Sequence, residues 1–389
     1  MLYSTILRRF IMALDQKMEN YALSVQEEIK QIIRDMCAIP APSHHEEKRA
    51  EFCKKWFENN GFENVSIDAA LNVLAPVNVT SDNKITIYMA HTDTVFPELT
   101  PLPFSEDEEF MYSPGVTDDT ANLAVLMVCA RYFKDNFKGG KDGVLFVANS
   151  CEEGLGNLKG SRQIMADFAS RTKEFITIDG TSLDRIVTCA VGSHRYKVSV
   201  RTEGGHSYGN FGNRNAISAL SSMISLLYTV KVPVEGSSRT TYNVGTISGG
   251  TSVNTIAQDA CMMYEYRSDN KNCLAKMQKM FEQTIETFRS MGINVDVEKV
   301  GDRPCSGTID ETAFSSLKNR ISLAIKDTLD LDSREASSST DANMPLSLGI
   351  PAVCISGCRG AGCHTREEKL EKASLLPGCR LLLDIICGA

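Results

Sequence analysis

The chain has 389 residues, more than one hydrophobic core ordinarily spans, so two domains are expected. A formal charge of −8 and a pI near 5.4 exclude the basic face that non-specific nucleic-acid binding needs. No apolar run approaches the about 20 residues of a membrane span, and thirteen cysteines without the spacing of a small disulfide scaffold fit reduced, mostly buried thiols in a cytoplasm.

Met1–Leu14 is partly apolar, but Arg8 and Arg9 interrupt it and no small-residue cleavage site follows. That order is the reverse of a signal peptide, so an extended start before Met12 or Met18, or a helical arm, is expected rather than export. Apolar residues recur at helical spacing from Glu19 to Cys37, and the turn Ile39-Pro40-Ala41-Pro42-Ser43 stops them. His45–Asn60 predicts a second amphipathic helix, ended by Gly61. Strands and helices then alternate to about Cys189, the pattern of a mostly parallel α/β sheet.

The texture changes near Val191. Tyr196–Thr202 alternates with a period of two, as a half-exposed strand does. A helix over Asn215–Val230, strands over Thr240–Ile247 and Asp259–Arg267, a helix over Asn270–Met291 and a strand over Ile293–Lys299 complete a βαββαβ pattern. From Gly307 a long helix and a further strand return, and Ser337-Ser338-Ser339-Thr340 reads as a loop. The expectation is an α/β domain formed by 1–190 and 301–389, interrupted at 191–300 by an inserted α+β, ferredoxin-like domain.

Four predicted strands end on residues that bind metals. Lys84–Ala90 runs into His91-Thr92-Asp93, and Gly143–Ala148 into Cys151-Glu152-Glu153. Phe175–Ile178 ends on Asp179, and Pro351–Ile355 leads through a Gly-rich turn to His364. Ligands of open α/β sheets sit at the carboxyl ends of strands, so four such endings point to one centre. In the His91-x-Asp93 pattern the carboxylate can orient the imidazole. Asp118-Asp119 precedes a helix, where Asp is an ordinary N-cap but also a carboxylate able to bridge two cations. Glu152-Glu153 suits one metal ligand beside one general base. Together His91, Asp118, Glu153, Asp179 and His364 supply two imidazoles and three carboxylates, enough for two three-ligand sites sharing one carboxylate. Such N/O ligation with open positions suits Zn²⁺, with Co²⁺ or Mn²⁺ as alternatives.

In combination these motifs resemble the M20 family of dinuclear zinc metallopeptidases, with peptidase T-like and carboxypeptidase G2-like members. The resemblance runs from about Ile33 onward, and Ser339-Thr340-Asp341-Ala342 before Gly349-Ile350-Pro351 fits it as well. It implies a zinc-peptidase catalytic domain with two Zn²⁺ per chain. His91 and Asp179 would hold one ion and Glu153 and His364 the other, with Asp118 between them. Asp93 would orient His91, Glu152 would act as base on a water bridging the metals, and a cis peptide would follow Asp118. The insert would be a lid and dimerisation domain. Its His206, in Gly204-Gly205-His206-Ser207-Tyr208, would reach the partner subunit's active site and stabilise the oxyanion. Asn254 and Arg267 would contact the substrate and its carboxylate.

The implied function is hydrolysis of amide bonds in short peptides by a cytoplasmic homodimer, as a di- or tripeptidase or exopeptidase. An N-acyl amino acid deacylase or a carboxypeptidase would use the same site, and an inactive binding protein on the same fold is the alternative of a different class. Two departures bear on substrate choice: Thr120 stands where many members carry Lys, and Tyr208-Gly209-Asn210-Phe211 replaces the usual Pro near His206. Cys354, Cys358 and Cys363 match no common zinc or iron–sulfur spacing. Cys151 has no histidine near it in sequence to make it a nucleophile.

Overall fold

A computed structural model describes residues 16–388, so the expectations for Met1–Leu14 lie outside the described residues. The apolar pattern from Glu19 forms two helical stretches, 16–24 and α1 (Gln26–Cys37), interrupted at Val25. The chain divides into two compact units, one comprising residues up to Thr188 and from Thr308 onward, the other Cys189–Gly307.

The first unit is built on an eight-stranded sheet. Its strands, in spatial order, are β1 (Ser66–Ile67), β2 (Val73–Val77), β6 (Gly143–Asn149), β3 (Ile85–His91), β7 (Thr172–Ile178), β16 (Ala352–Ile355), β8 (Arg185–Ala190) and β15 (Arg334–Ser338). β6, β3, β7 and β16 are consecutive and parallel, while β2 and β8 join antiparallel. Every residue of β3 is buried, as expected of a central strand covered on both faces, and its β-branched and aromatic residues suit that setting. Because the four parallel strands are neighbours, the chain leaves all of them along one edge of the sheet.

Helices α2 (Glu47–Asn59), α3 (Asn122–Asn136), α4 (Lys159–Phe168), α7 (Glu311–Leu329), α8 (Asn343–Ser347) and α9 (Leu375–Cys387) belong to the same unit. α3 packs on β3 and β7, and α9 packs on α3 and α7. A small antiparallel sheet orders β17 (Gly360–Ala361), β18 (Lys369–Glu371), β5 (Phe110–Tyr112) and β4 (Ser105–Glu106). Ser337 and Ser338, read from sequence as loop, end β15 instead. An edge strand needs a partner on one side only, so polar residues are tolerated there.

The second unit follows the βαββαβ order. Its sheet is antiparallel, ordered β11 (Thr240–Gly249), β13 (Asp259–Ser268), β9 (Gly192–Arg201) and β14 (Asn294–Arg303). The short strands β10 (Gly205–His206) and β12 (Thr255–Ile256) pair beside it. Helices α5 (Ala216–Leu227) and α6 (Lys271–Ser290) share one core with the sheet. Tyr196, Val198 and Val200 meet Leu220, Met223, Met277 and Phe281 there. Asn215 and Asn270 cap the two helices, each accepting two backbone N–H groups of the first turn.

One close approach sets the start of the loop toward His364. A Cβ on Gly378 in α9 would lie 1.7 Å from the Gly357 carbonyl oxygen. A helix-interior glycine ordinarily gains about 1 kcal/mol on replacement by alanine. Here overpacking reverses the sign: Gly378→Ala is expected to cost about 2 kcal/mol or more, read as a lower urea midpoint. A midpoint at or above that of the unmodified protein contradicts the packing.

Candidate metal centre

The strands that end on the common edge deliver most of the groups. His91 is the last residue of β3, and Asp179 follows β7 directly. Glu152 and Glu153 follow β6 through Cys151, which takes the left-handed conformation at φ +56°. His364, at φ +63°, lies in the turn between β17 and β18, beyond β16. Asp118 comes from the loop before α3. It is not the helix cap, because α3 begins at Asn122 with Ala121 in the cap position. The peptide bond between Asp118 and Asp119 is cis.

The carboxylate of Asp118 lies between two imidazoles. Its Oδ1 is 3.1 Å from His91 Nε2 and its Oδ2 is 3.1 Å from His364 Nε2. His364 Nε2 is also 3.1 Å from Glu153 Oε1. Ligand-type atoms of His91, Asp118 and Glu153 lie within 4.8 Å of one another, and so do those of His91, Glu152 and Asp179. All six side chains therefore converge. The second set includes Glu152, which the resemblance assigns to proton transfer.

Electrostatics set this place apart. Burial pushes the Asp179 carboxyl far above the carboxylate range, and the neighbouring Asp118 charge adds to it. Burial does the same to Asp119. Glu153 is raised to about 7 by burial and then by Asp118, and Asp341 to about 8 by burial and then by Glu152. At Asp118 burial acts upward too, but the bonds to His364 and His91 outweigh it and hold the group below its usual range. Burial opposes the charged form of His91, yet Asp119, Asp118 and Asp93 raise its pKa well above normal. His364 is raised to about 10 by Asp118 and Glu153. The Asp179 carboxylate has no hydrogen-bond partner among the described residues, and Asp119 Oδ1 is buried without one. The crowded, desolvated carboxylates outnumber the two imidazoles, and divalent cations would supply the positive charge that balances the rest. The donor set thus fits two metal ions.

Supporting contacts change one expected role. His91 Nδ1 lies 3.0 Å from the Asp93 carbonyl oxygen and 3.4 Å from its carboxylate. The carboxylate itself accepts the backbone N–H groups of Glu152 and Glu153 at 3.0 Å each, and the Ser43 hydroxyl at 2.6 Å. Asp93 therefore contacts His91 through its carbonyl and carboxylate and also holds the amides of the acidic pair. Asn122, unmarked by any sequence pattern, donates to the Gly180 and Thr117 carbonyls and accepts the Gly357 N–H. It ties together the loops that carry Asp118, Asp179 and His364. Asn149 donates to the buried Asp341 carboxyl at 2.6 Å, and Glu368 lies behind the Asp118 loop.

The cysteines take no part. Cys151 Sγ does have a histidine beside it, His44 Nδ1 at 3.4 Å, which the linear sequence hides. The thiol donates to Glu46, and burial and that carboxylate push its pKa to about 12, the opposite of a nucleophile. Cys354 turns to the Asp179 carbonyl, Cys358 to Asn122 and Gly180, and Cys363 to Thr117.

The remaining predicted residues lie in the second unit. His206 is exposed on β10, and its Nδ1 accepts the N–H groups of Tyr208 and Gly209 at 3.2 Å. In the neutral ring that leaves the proton on Nε2. Asn210, in the stretch that replaces the usual Pro, accepts the His206 N–H. The Asn254 carbonyl accepts the Ser207 N–H, so Asn254 and the His206 loop are neighbours. Arg267, on β13, is held by Glu265 through Nε and a terminal nitrogen at 2.9 and 3.0 Å.

Comparison with known proteins bears on this arrangement. Residues 87–387 match the sequence profile of the peptidase family M20/M25/M40. The Bacillus subtilis protein YqjE, itself uncharacterised, is 22% identical over 368 residues, 90% of this chain and 95% of its own. A tripeptidase from Staphylococcus aureus superposes with a TM-score of 0.73 at 21% identity, over 93% of this chain and 97% of that one. The Saccharomyces cerevisiae di-peptidase Dug1p gives 0.75 at 15% identity over 96% and 99%. A dinuclear metal-binding M20 peptidase of Bacillus subtilis gives 0.65 at 16% identity over 93% and 98%. At these identities the structural likeness is one of fold, with its largely parallel central sheet, and the profile match supplies the family. The chain belongs to the peptidase family M20/M25/M40 and is a hydrolytic enzyme.

Proposed function

We propose that this enzyme is a dinuclear-metal peptidase that cleaves amide bonds of short peptides, with two zinc ions per chain and cobalt or manganese as substitutes. The observation that carries the reading is Asp118, each of whose carboxylate oxygens lies 3.1 Å from a different imidazole. A carboxylate shared by two N/O subsites suits a pair of cations. His91 and Asp179 are assigned to one cation, Glu153 and His364 to the other, and Asp118 to both. When bound, the cations supply Lewis acidity, polarising the amide carbonyl and lowering the pKa of water.

Glu152 is assigned as the general base. It takes a proton from the attacking water and passes it to the leaving amine nitrogen as the C–N bond breaks. Asp93 holds the Glu152 and Glu153 amides and so fixes base relative to ligand. His206 is assigned, as the family resemblance implies, to the oxyanion in the partner subunit's site. Asn254 and Arg267 are assigned to the substrate, Arg267 exchanging Glu265 for a carboxylate of the peptide. The di-peptidase and tripeptidase among the structural relatives favour short peptides over N-acyl amino acids. An Arg fork reading a free carboxylate keeps the carboxypeptidase variant of the same chemistry alongside.

A cytoplasmic homodimer completes the proposal. All thirteen cysteines are free thiols, which suits a reducing compartment, and among the described residues no helix is long and apolar enough to cross a membrane. In the second unit β11 is an edge strand, and Ile217, Leu226, Tyr228 and Ile247 leave apolar side chains exposed on it and on α5 and its end. A long exposed edge of this kind is a template for pairing with a second copy.

Elemental analysis is expected to find close to two zinc ions per chain, with chelator-sensitive cleavage strongest on a dipeptide or tripeptide. No metal, and no hydrolysis after zinc or cobalt is restored, would leave only the inactive binding protein. Glu152→Ala should retain metal while kcat falls about 10²–10⁴-fold, and Asp118→Ala should lose metal. An active Glu152→Ala enzyme removes the base assignment. Light scattering should find a dimer that Ile247→Glu converts to monomer, and an unchanged dimer places the interface elsewhere.

A further inference from the structure

Glu368 lies four residues beyond His364 in the chain, and its side chain is fully buried. Its Oε2 accepts the Gly115 N–H at 2.7 Å. Its Oε1 accepts the N–H groups of Thr117 at 2.8 Å and Asp118 at 3.0 Å, and the Thr117 hydroxyl as well. The Glu368 carbonyl takes the Ser113 N–H. Four donors thus converge on one carboxylate, an arrangement that only an acceptor with two free oxygens satisfies. The amides of Gly115, Thr117 and Asp118 form a concave anion site of the kind that turns with mixed handedness make. Gly115 has φ +77°, and a Cβ there would meet the Thr94 methyl at 2.5 Å, so the turn has no room to open that way. The strands next to it keep the two segments in register, Lys369 of β18 pairing with Tyr112 of β5.

We propose that Glu368 is a positioning residue for the bridging carboxylate of Asp118. It grips the Asp118 amide from behind while His364, in the same short loop, meets the Asp118 carboxylate from the front. Both halves of that grip come from one chain segment, so the direction of the Asp118 side chain is set relative to His364 and not merely to the protein at large. Without Glu368, three amides and a hydroxyl lose their acceptor, the turn relaxes, and the two oxygens of Asp118 no longer face the two imidazoles. The inference rests on the dinuclear reading above.

The test compares the unmodified protein, Glu368→Gln and Thr117→Val. Gln keeps the size but turns an N–H₂ toward backbone N–H groups; Val removes only the hydroxyl donor. Zinc affinity is measured by competition with a chromophoric chelator, and the cobalt-substituted forms are recorded by visible absorption. Glu368→Gln is expected to bind zinc about 10- to 100-fold more weakly, the range for groups that orient metal ligands, with an altered cobalt spectrum. Thr117→Val should lose affinity in the same direction, about threefold, and it serves alone if Glu368→Gln does not fold. Unchanged zinc affinity and cobalt spectrum in the folded variants, even with a lower melting temperature, would mean that Glu368 only stabilises the fold. Absence of metal binding in the unmodified protein sinks the dinuclear reading itself, and is told apart because it precedes any comparison of variants.

Discussion

The arrangement depends on one carboxylate having two imidazole neighbours. Asp118 Oδ1 and Oδ2 each lie 3.1 Å from a histidine Nε2, one at the end of β3 and the other in the turn between β17 and β18. Everything near it serves that geometry. The parallel strands bring His91, Glu153 and Asp179 to one edge, and Asn122 ties the loops that carry Asp118, Asp179 and His364. Buried carboxylates without compensating charge cost several kcal/mol each. Burial here pushes Asp119, Asp179, Glu153 and Asp341 upward, which is how that cost is expressed.

The surrounding shell resolves a conflict between precision and flexibility. Loops are the natural place for such residues but are less rigid than strands. In this protein the loops are fixed from behind by buried polar side chains with several partners each. Asp93 holds the amides of two glutamates and a serine hydroxyl. The buried Arg49 guanidinium donates to the carbonyls of Ile39 and Thr92 and to the Thr120 hydroxyl. Thr120 stands where many relatives were expected to carry Lys, and its hydroxyl takes a bond from this arginine.

The second unit follows a different logic. Its core is a conventional stack of two helices on an antiparallel sheet, while His206 sits in an exposed turn held by Asn210 and the amides of Tyr208 and Gly209. The lost Pro near His206 is thus replaced by side-chain and backbone bonds that fix the ring by other means. Arg267 is paired with the Glu265 carboxylate; in the proposed function a substrate carboxylate would compete with that internal partner.

The sequence alone marked most of the long elements and the residue types of the candidate centre. Periodicity separates the parallel strands from the alternating strand over Tyr196–Thr202, and His, Asp and Glu at strand ends announce metal chemistry, because both signals are local. It also showed the βαββαβ order, since each element there packs against its near neighbours. Only the tertiary structure decided which groups meet. That Asp93 reaches the Glu152 and Glu153 amides, that His44 sits on Cys151, and that Asn122 and Glu368 hold loops far from them in the chain depend on contacts between residues 58 to 253 positions apart. No periodicity encodes such contacts, because a single buried Asn or Glu looks the same in sequence whether it faces water or three backbone amides. The strand at Ser337–Ser338 was hidden for the same reason: pairing with the neighbouring β8 outweighed local preference.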